Sequence, residues 1–166
     1  MVNVLIGDIF QSRAQTLVIE VTCVGTMGKG DMLEFRQRFP GVYKEHRGYC
    51  KAKLIKLGEP HLYRCVVPPW VITFPTKEHG RSATRLEYIV RGLEHLERHH
   101  REWGIISLAV PPLGCGKGQL EWHVVGPTLY RHLNRFSIPV ELYAPAGTPD
   151  EELRRTYLER ALLRKR

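Results

Sequence analysis

Six short, mostly apolar runs alternate along the chain with longer stretches in which apolar residues recur at three- and four-residue intervals. The runs occupy residues 2–6, 17–21, 62–67, 70–74, 105–110 and 140–143. Strands that are apolar on both faces must be covered on both sides, and intervening helices supply that cover. The pattern therefore predicts an α/β domain of three layers, with helices on both faces of one central sheet.

The clearest helix covers residues 82–103, where Ile89 and Leu93 lie on one apolar side and Ser82 or Thr84 is placed to cap the amino end. Further helices are predicted at residues 31–39, 42–53 and 121–134, with a basic C-terminal helix at about 149–166. Pro40-Gly41 is expected to stop the first of these. No repeat, low-complexity segment or linker is evident, so residues 1–166 are predicted to form a single domain.

The charge balance concerns partners rather than fold. Lys and Arg number 25 against 17 Asp and Glu, a net charge of +8 that favours anions such as nucleic acid, phosphates or a nucleotide. No apolar run approaches the ~18 residues of a membrane span. The amino terminus lacks a basic segment and a cleavage site, so a secretory signal is not expected. The four cysteines have no CxxC or zinc-ligand spacing and are predicted to be reduced intracellular thiols.

Two glycine-rich segments, residues 23–30 and 114–118, follow predicted strands and lead toward predicted helices. Glycines let successive amide groups face one concavity, and a helix amino terminus adds positive potential, so phosphates bind at such places. Neither segment fits GxxxxGK[ST] or a GxGxxG motif in a first βαβ unit. Two such loops in a basic domain favour phosphate binding, although glycines that merely form tight turns remain the alternative.

Several segments, in order, carry a family resemblance. They are residues 7–9, 17–30, 74–77 with 85–87, 106–118 with 120–122, and 143–145. Over nearly the whole chain to about Pro145, the sequence resembles macrodomains of the DarG antitoxins, which act opposite DarT DNA ADP-ribosyltransferases. The resemblance implies a three-layer α/β/α macrodomain with a mixed central sheet, and a site for ADP-ribose.

The resemblance assigns binding residues position by position. Asp8 would accept from the adenine amino group beside the Ile9 amide, and Tyr143 would lie against the adenine ring. The diphosphate loop would comprise Gly114, Cys115, Gly116, Lys117 and Gly118, with Gln119 in the same binding set. The distal ribose would be held by Thr22, Cys23, Val24, Gly25, Thr26, Met27, Gly28, Lys29 and Gly30, of which Lys29 would also meet a phosphate. Without the resemblance, Asp8 would be interpreted as a turn residue after a strand, and Tyr143 as a residue of the core.

The resemblance also assigns catalysis to Lys77, because a lysine after this strand is catalytic in DarG-type macrodomains and in the human terminal ADP-ribose glycohydrolase. Cleavage at the anomeric carbon of the distal ribose passes through an oxocarbenium-like transition state that needs a nucleophile or a proton shuttle. A neutral amine can serve, and it can also form a Schiff base with the aldehyde of the opened sugar. Phe74 and Pro75 are expected to supply apolar walls and Arg81 a neighbouring cation, which both favour a neutral amine.

Three positions depart from the family pattern. Ile19 and Thr22 replace two asparagines, and Thr22 offers the distal ribose fewer hydrogen bonds than an amide would. Gly118 stands where the human glycohydrolase carries an acidic catalytic residue, a gap shared with DarG-type proteins. Cys115 has no identifiable partner base and is expected to bind rather than to act as a nucleophile.

Two features outside these loops weigh less. His95 and His99 have the spacing of a helical metal pair but no third ligand, so no metal site is predicted. Arginines at 91, 98, 101, 131 and 135 and the basic tail 164–166 suit a phosphodiester backbone, although such charges are also typical of an ordinary soluble surface.

The leading hypothesis is an ADP-ribosyl glycohydrolase that uses Lys77, without metal or redox cofactor, to free a DNA base. Its expected partners are ADP-ribose, ADP-ribosylated single-stranded DNA and a cognate DarT-like toxin, in a prokaryotic cytoplasm and without a membrane. The alternatives are a module that binds ADP-ribose without hydrolysing it, which Thr22 favours, and direct neutralisation of a toxin by protein–protein contact.

Overall fold

The core of the molecule is a six-stranded sheet. Its strands are β1 Val2–Leu5, β2 Thr16–Thr22, β3 His61–Tyr63, β4 Trp70–Lys77, β5 Leu108–Val110 and β6 Val140–Tyr143. The order across the sheet is β1-β6-β5-β2-β4-β3, and every pair is parallel except β3 with β4, so the sheet is mixed. The computed structural model describes residues 1–25, 31–116 and 119–163.

Five α-helices cover the two faces of this sheet. They are α1 Asp31–Arg38, α2 Pro40–Lys51, α3 Leu86–His99, α4 Trp122–Leu133 and α5 Arg155–Leu163. A large cluster joins α3, α4 and Leu158 of α5 to one face, and a smaller one joins α1 and α2 to Ile19, Val21 and Val71 on the other. The predicted three-layer architecture is confirmed, because strands with two apolar faces are buried by helices on each side.

Strand positions were predicted well and strand lengths less so. β4 extends to Lys77 instead of stopping at Phe74, whereas the predicted strand 62–67 pairs only over His61–Tyr63. β3 is an edge strand whose chain turns through Pro68-Pro69, so residues beyond Tyr63 have no neighbour to pair with. The predicted strand 105–110 is regular only over Leu108–Val110.

Helix starts were the weakest predictions. Pro40 begins α2 as well as ending α1, since its fixed φ suits the first helical turn. α3 begins at Leu86 after an extended Arg85, so neither Ser82 nor Thr84 caps it; Ser82 Oγ instead accepts from the His79 amide. The C-terminal segment forms a 3-10 helix at Asp150–Leu153 before α5 begins.

Gly92 is required by packing, and Gly48 is not. A Cβ at Gly92 would overlap the ring of Phe74, which is fully buried, whereas a Cβ at Gly48 in α2 would meet nothing within 4 Å. We predict that Gly92→Ala lowers the free energy of unfolding by roughly 2 kcal/mol or more through overpacking. Gly48→Ala should instead raise it by about 0.5–1 kcal/mol through helix propensity. Urea denaturation measures the free energy of unfolding of both variants. Equal changes in the two would contradict the close contact between Gly92 and Phe74.

His46 makes stability depend on pH. Its side chain is fully buried in α2, with Nε2 3.4 Å from Cys50 Sγ, and burial followed by the charge of His61 lowers its pKa to about 4. Between pH 6.5 and 4 the unfolded chain binds a proton at this site and the folded chain does not, so stability falls as the pH falls through that window.

We predict a loss of up to about 3 kcal/mol from this residue between neutral pH and pH 4. His46→Gln should flatten the pH profile of urea midpoints even if it lowers them overall, whereas His123→Gln at an exposed position should leave the slope unchanged. A profile as steep in His46→Gln as in the native chain would contradict this assignment.

Candidate active site

The predicted site residues that the structure describes lie where β1, β2, β4, β5 and β6 reach their carboxyl ends. Parallel strands bring these ends to one edge of the sheet, the usual place for ligands of open α/β sheets. The loops after β1, β2 and β5 therefore meet the end of β4 at one edge.

The end of β4 is irregular. Val21 of β2 pairs with Pro75 but the next residue, Thr22, pairs with Lys77, so Thr76 is an extra residue in a β-bulge. Pro75 has no amide hydrogen for the ladder, and bulges re-aim the side chains that follow them. Beyond the bulge, the Cys23 amide donates to the Lys77 carbonyl at 2.9 Å and connects the start of the first glycine-rich segment to the lysine.

Lys77 is buried although it carries a charged group. Only 6% of its surface is exposed, and Nζ lies 3.5 Å from the carbonyl oxygen of Gly80 in the loop that follows. Lysine is rarely buried without a reason in packing or chemistry. Two of the residues expected to act on this amine are Phe74 and Arg81. Phe74 lies in the core against Gly92, and Arg81 is exposed.

The carboxylate of Glu20 links segments next to Lys77. Glu20 of β2 accepts from Thr76 Oγ1 at 2.6 Å and from the Gly114 amide at 3.1 and 3.2 Å. Through these bonds one side chain connects β2, the bulge of β4 and the loop after β5. Sequence reasoning missed both Glu20 and Thr76, although an acidic residue within the apolar run 17–21 is a signal that a buried partner is needed.

The loop after β5 has the shape that its glycines require. Gly114 has φ +82°, and a Cβ there would lie 2.8 Å from Leu120 Cδ1. The Leu120 amide donates to the Gly114 carbonyl at 2.9 Å and closes the loop, while the Cys115 amide donates to Pro112. The amides of Gly114 and Cys115 are thus both used within the protein. Lys117 and Gly118 lie outside the described residues, while Gly116 and Gln119 are exposed.

The segment predicted to hold the distal ribose, residues 22–30, is described only at its start. Thr22 and Cys23 are half-buried, Val24 is exposed, and Gly25 has φ +66° with Cys50 Sγ 3.2 Å from where its Cβ would be. This contact packs the loop onto α2. Thr26, Met27, Gly28, Lys29 and Gly30 lie outside the described residues.

The predicted adenine residues lie together. Asp8 is exposed and caps a 3-10 helix, Ile9–Gln11, by accepting from the Phe10 amide at 3.0 Å. The ring of Tyr143 lies beneath Gly7: a Cβ placed on Gly7 would be 3.8 Å from Tyr143 Cε1. Tyr143 is only 5% exposed and packs against Ile9, so its ring chiefly supports the turn that carries Asp8.

The thiols of the site are poor nucleophiles. Burial, followed by the charge of Glu20, raises the pKa of Cys115 to about 12. Burial, followed by the charges of Cys50 and Glu78, raises the pKa of Cys23 to about 11. Only the thiolate attacks, so neither cysteine supplies a nucleophile at neutral pH.

The remaining predicted features lie elsewhere. His99 stacks on Trp103 near the end of α3, and His95 packs against both rings in a tilted arrangement. The described residues contain no group of three His, Cys, Asp or Glu side chains able to hold a metal. Arginines 91, 98, 101, 131 and 135 are exposed, and the tail 164–166 lies outside the described residues. In the described part of the chain, no helix is long and apolar enough to cross a membrane.

Comparisons with known proteins agree with this geometry. The family model described as Macro domain matches residues 20–129. A DNA ADP-ribosyl transferase-DNA ADP-ribosyl glycohydrolase fusion protein of Thermosipho africanus is 37% identical over 92% of this chain and 44% of its own length. A DNA ADP-ribosyl glycohydrolase of Mycobacterium tuberculosis is 37% identical over 85% of this chain and 41% of its own length. The chain thus spans less than half the length of these curated relatives.

The chain belongs to the macrodomain family. Within it, the fold is similar to the macrodomain of Mycobacterium tuberculosis DarG, with a TM-score of 0.83 and 35% identity over 88% of this chain and 99% of that one. It is also similar to Thermosipho africanus DarTG in complex with ADP-ribose, with a TM-score of 0.88 and 38% identity over 94% of this chain and 46% of that one.

Proposed function

We propose that the protein is an ADP-ribosyl glycohydrolase that removes ADP-ribose from a modified DNA base. The observation that carries the proposal is the buried Lys77, placed by the bulge of β4 and bonded through its carbonyl to the Cys23 amide. The similarity to proteins named DNA ADP-ribosyl glycohydrolase supports this substrate class.

The proposed reaction breaks the bond between the anomeric carbon of the distal ribose and the base. One water is consumed, the base leaves with a proton, and ADP-ribose keeps the hydroxyl. Lys77 would act at the anomeric carbon, as a proton shuttle or through a Schiff base with the opened sugar that water then hydrolyses.

The other predicted residues would hold the substrate around this point. Asp8 and the Ile9 amide would take the adenine, with Tyr143 beneath them. Because the amides of Gly114, Cys115, Gln119 and Leu120 already donate within the protein, the diphosphate would be met by the amides of residues 116–118. The loop from Thr22 to Gly30 would hold the distal ribose, since Thr22 pairs directly with Lys77.

The biological setting belongs to the same proposal. Action on ADP-ribosylated single-stranded DNA opposite a DarT-like toxin would take place in the cytoplasm. The fusion of transferase and glycohydrolase in the Thermosipho africanus relative supports this pairing. Residues 1–166 would form one macrodomain. The exposed arginines on α3 and α4 would contact the DNA backbone.

A second candidate is a macrodomain that binds ADP-ribose without hydrolysing it. Thr22 favours this function, because one hydroxyl replaces the amide that contacts the distal ribose in the family pattern. The burial of Lys77 beside this residue favours the enzyme, since a binding module has no use for an amine at the anomeric carbon.

Lys77→Ala separates the two candidates. We predict that it slows release of ADP-ribose from an ADP-ribosylated single-stranded oligonucleotide by about 100-fold or more, as loss of a nucleophile or proton shuttle does. Its affinity for free ADP-ribose, measured by calorimetry, should change less than threefold. Arg98→Ala, on the exposed face of α3, is the control for charge. Intact adduct retained by the native chain and by Lys77→Ala alike would leave only the binding module.

Asp8→Asn tests the orientation of the ligand. Asparagine can still cap the 3-10 helix, but its amide group would face the adenine amino group with a donor instead of an acceptor. We predict about tenfold weaker binding of ADP-ribose, roughly 1.4 kcal/mol, with unchanged thermal stability. Unchanged affinity would place the adenine elsewhere.

A further inference from the structure

Glu20 links three segments of the site through its carboxylate. Its two carboxylate oxygens accept from the Gly114 amide at 3.1 and 3.2 Å, and one of them also accepts from Thr76 Oγ1 at 2.6 Å. The three residues belong to β2, to the bulge of β4 and to the diphosphate loop. No other side chain among the described hydrogen bonds joins these three segments.

The Glu20 carboxylate is half-buried, and its neighbours along β2 are apolar. Val18, Ile19 and Val21 beside it in β2 are buried, and the strand lies inside the sheet between β4 and β5. A carboxylate in such a place must be compensated by strong hydrogen bonds, which the short Thr76 bond and the Gly114 amide provide. The network also orders both donors, because each would lose its partner if the carboxylate were removed.

Electrostatics argue against ligand affinity as the role of this residue. A negative charge bonded to the first amide of the diphosphate loop opposes an anionic diphosphate bound by the same loop. The charge also contributes to the raised pKa of the neighbouring Cys115. The hydrogen bonds that the carboxylate accepts from two separate segments favour a role in geometry.

We infer that Glu20 is a positioning residue of the glycohydrolase, an inference that rests on the proposed function. By holding Thr76 and Gly114 at once, it fixes the distance between Lys77, the next residue in β4, and the loop that holds the diphosphate. The diphosphate sets where the distal ribose lies, so this distance decides whether the anomeric carbon meets the amine. Misplacement by about 1 Å costs on the order of 100-fold in rate.

The test compares Glu20→Ala with Glu20→Gln. Glu20→Ala should lower kcat for release of ADP-ribose from the oligonucleotide by at least tenfold, while the dissociation constant for free ADP-ribose stays within threefold or decreases. Glu20→Gln should recover kcat to within about fivefold, since its oxygen can accept from Gly114 and its amide can donate to the Thr76 hydroxyl oxygen. Thr76→Val added to Glu20→Ala should cause little further loss, because both act through one network.

Two measurements separate positioning from general stability. Hydrogen exchange of the Gly114 amide, measured without ligand, should accelerate at least tenfold in Glu20→Ala and less in Glu20→Gln. Leu96→Ala removes a buried side chain of α3 and is the control for general stability. It should lower thermal stability and leave kcat unchanged.

A native kcat in folded Glu20→Ala would overturn the inference while leaving the proposed function intact. Equal losses of kcat in the Ala and Gln variants would also overturn it. Absence of ADP-ribose release by the native chain would overturn the proposed function first and the inference with it.

Discussion

Pro75 has no amide hydrogen to donate to the sheet, and the end of β4 is arranged around that fact. The ladder with β2 skips one residue, and Thr76 becomes the extra residue of a bulge. The bulge gives Thr76 to Glu20 and leaves the Lys77 carbonyl for the Cys23 amide. The loops of the site are then connected to β4 through the Thr76 side chain and the Lys77 carbonyl.

The rest of the fold holds this arrangement in place. β2 and β4 are buried on both faces, by α3 and α4 on one side and by α1 and α2 on the other. Packing of this kind leaves little room for adjustment, as the contact between Gly92 and Phe74 illustrates. Strand ends that cannot shift are what a site needs when its parts come from separate loops.

The sequence predicted the architecture, because this depends on patterns that are local in the chain, and the expected site residues that the structure describes lie in or after strands that end at one edge of the sheet. Apolar runs indicate buried strands, and glycine-rich segments after strands indicate ligand loops. It failed where a residue acts through a partner distant in sequence. Glu20 meets Gly114, 94 positions away, and nothing local marks that pairing. The predicted start of α3 failed for a different reason, because two local uses of the Ser82 hydroxyl compete: it accepts from the His79 amide instead of capping the helix.

One main-chain hydrogen bond also has a dynamic consequence. The Cys23 amide, in the first residue after β2, is bonded to the carbonyl of Lys77 itself. Any displacement of the Cys23 backbone that breaks or stretches this bond also acts on the backbone that carries the lysine. The start of the glycine-rich segment after β2 and the end of β4 are therefore mechanically linked.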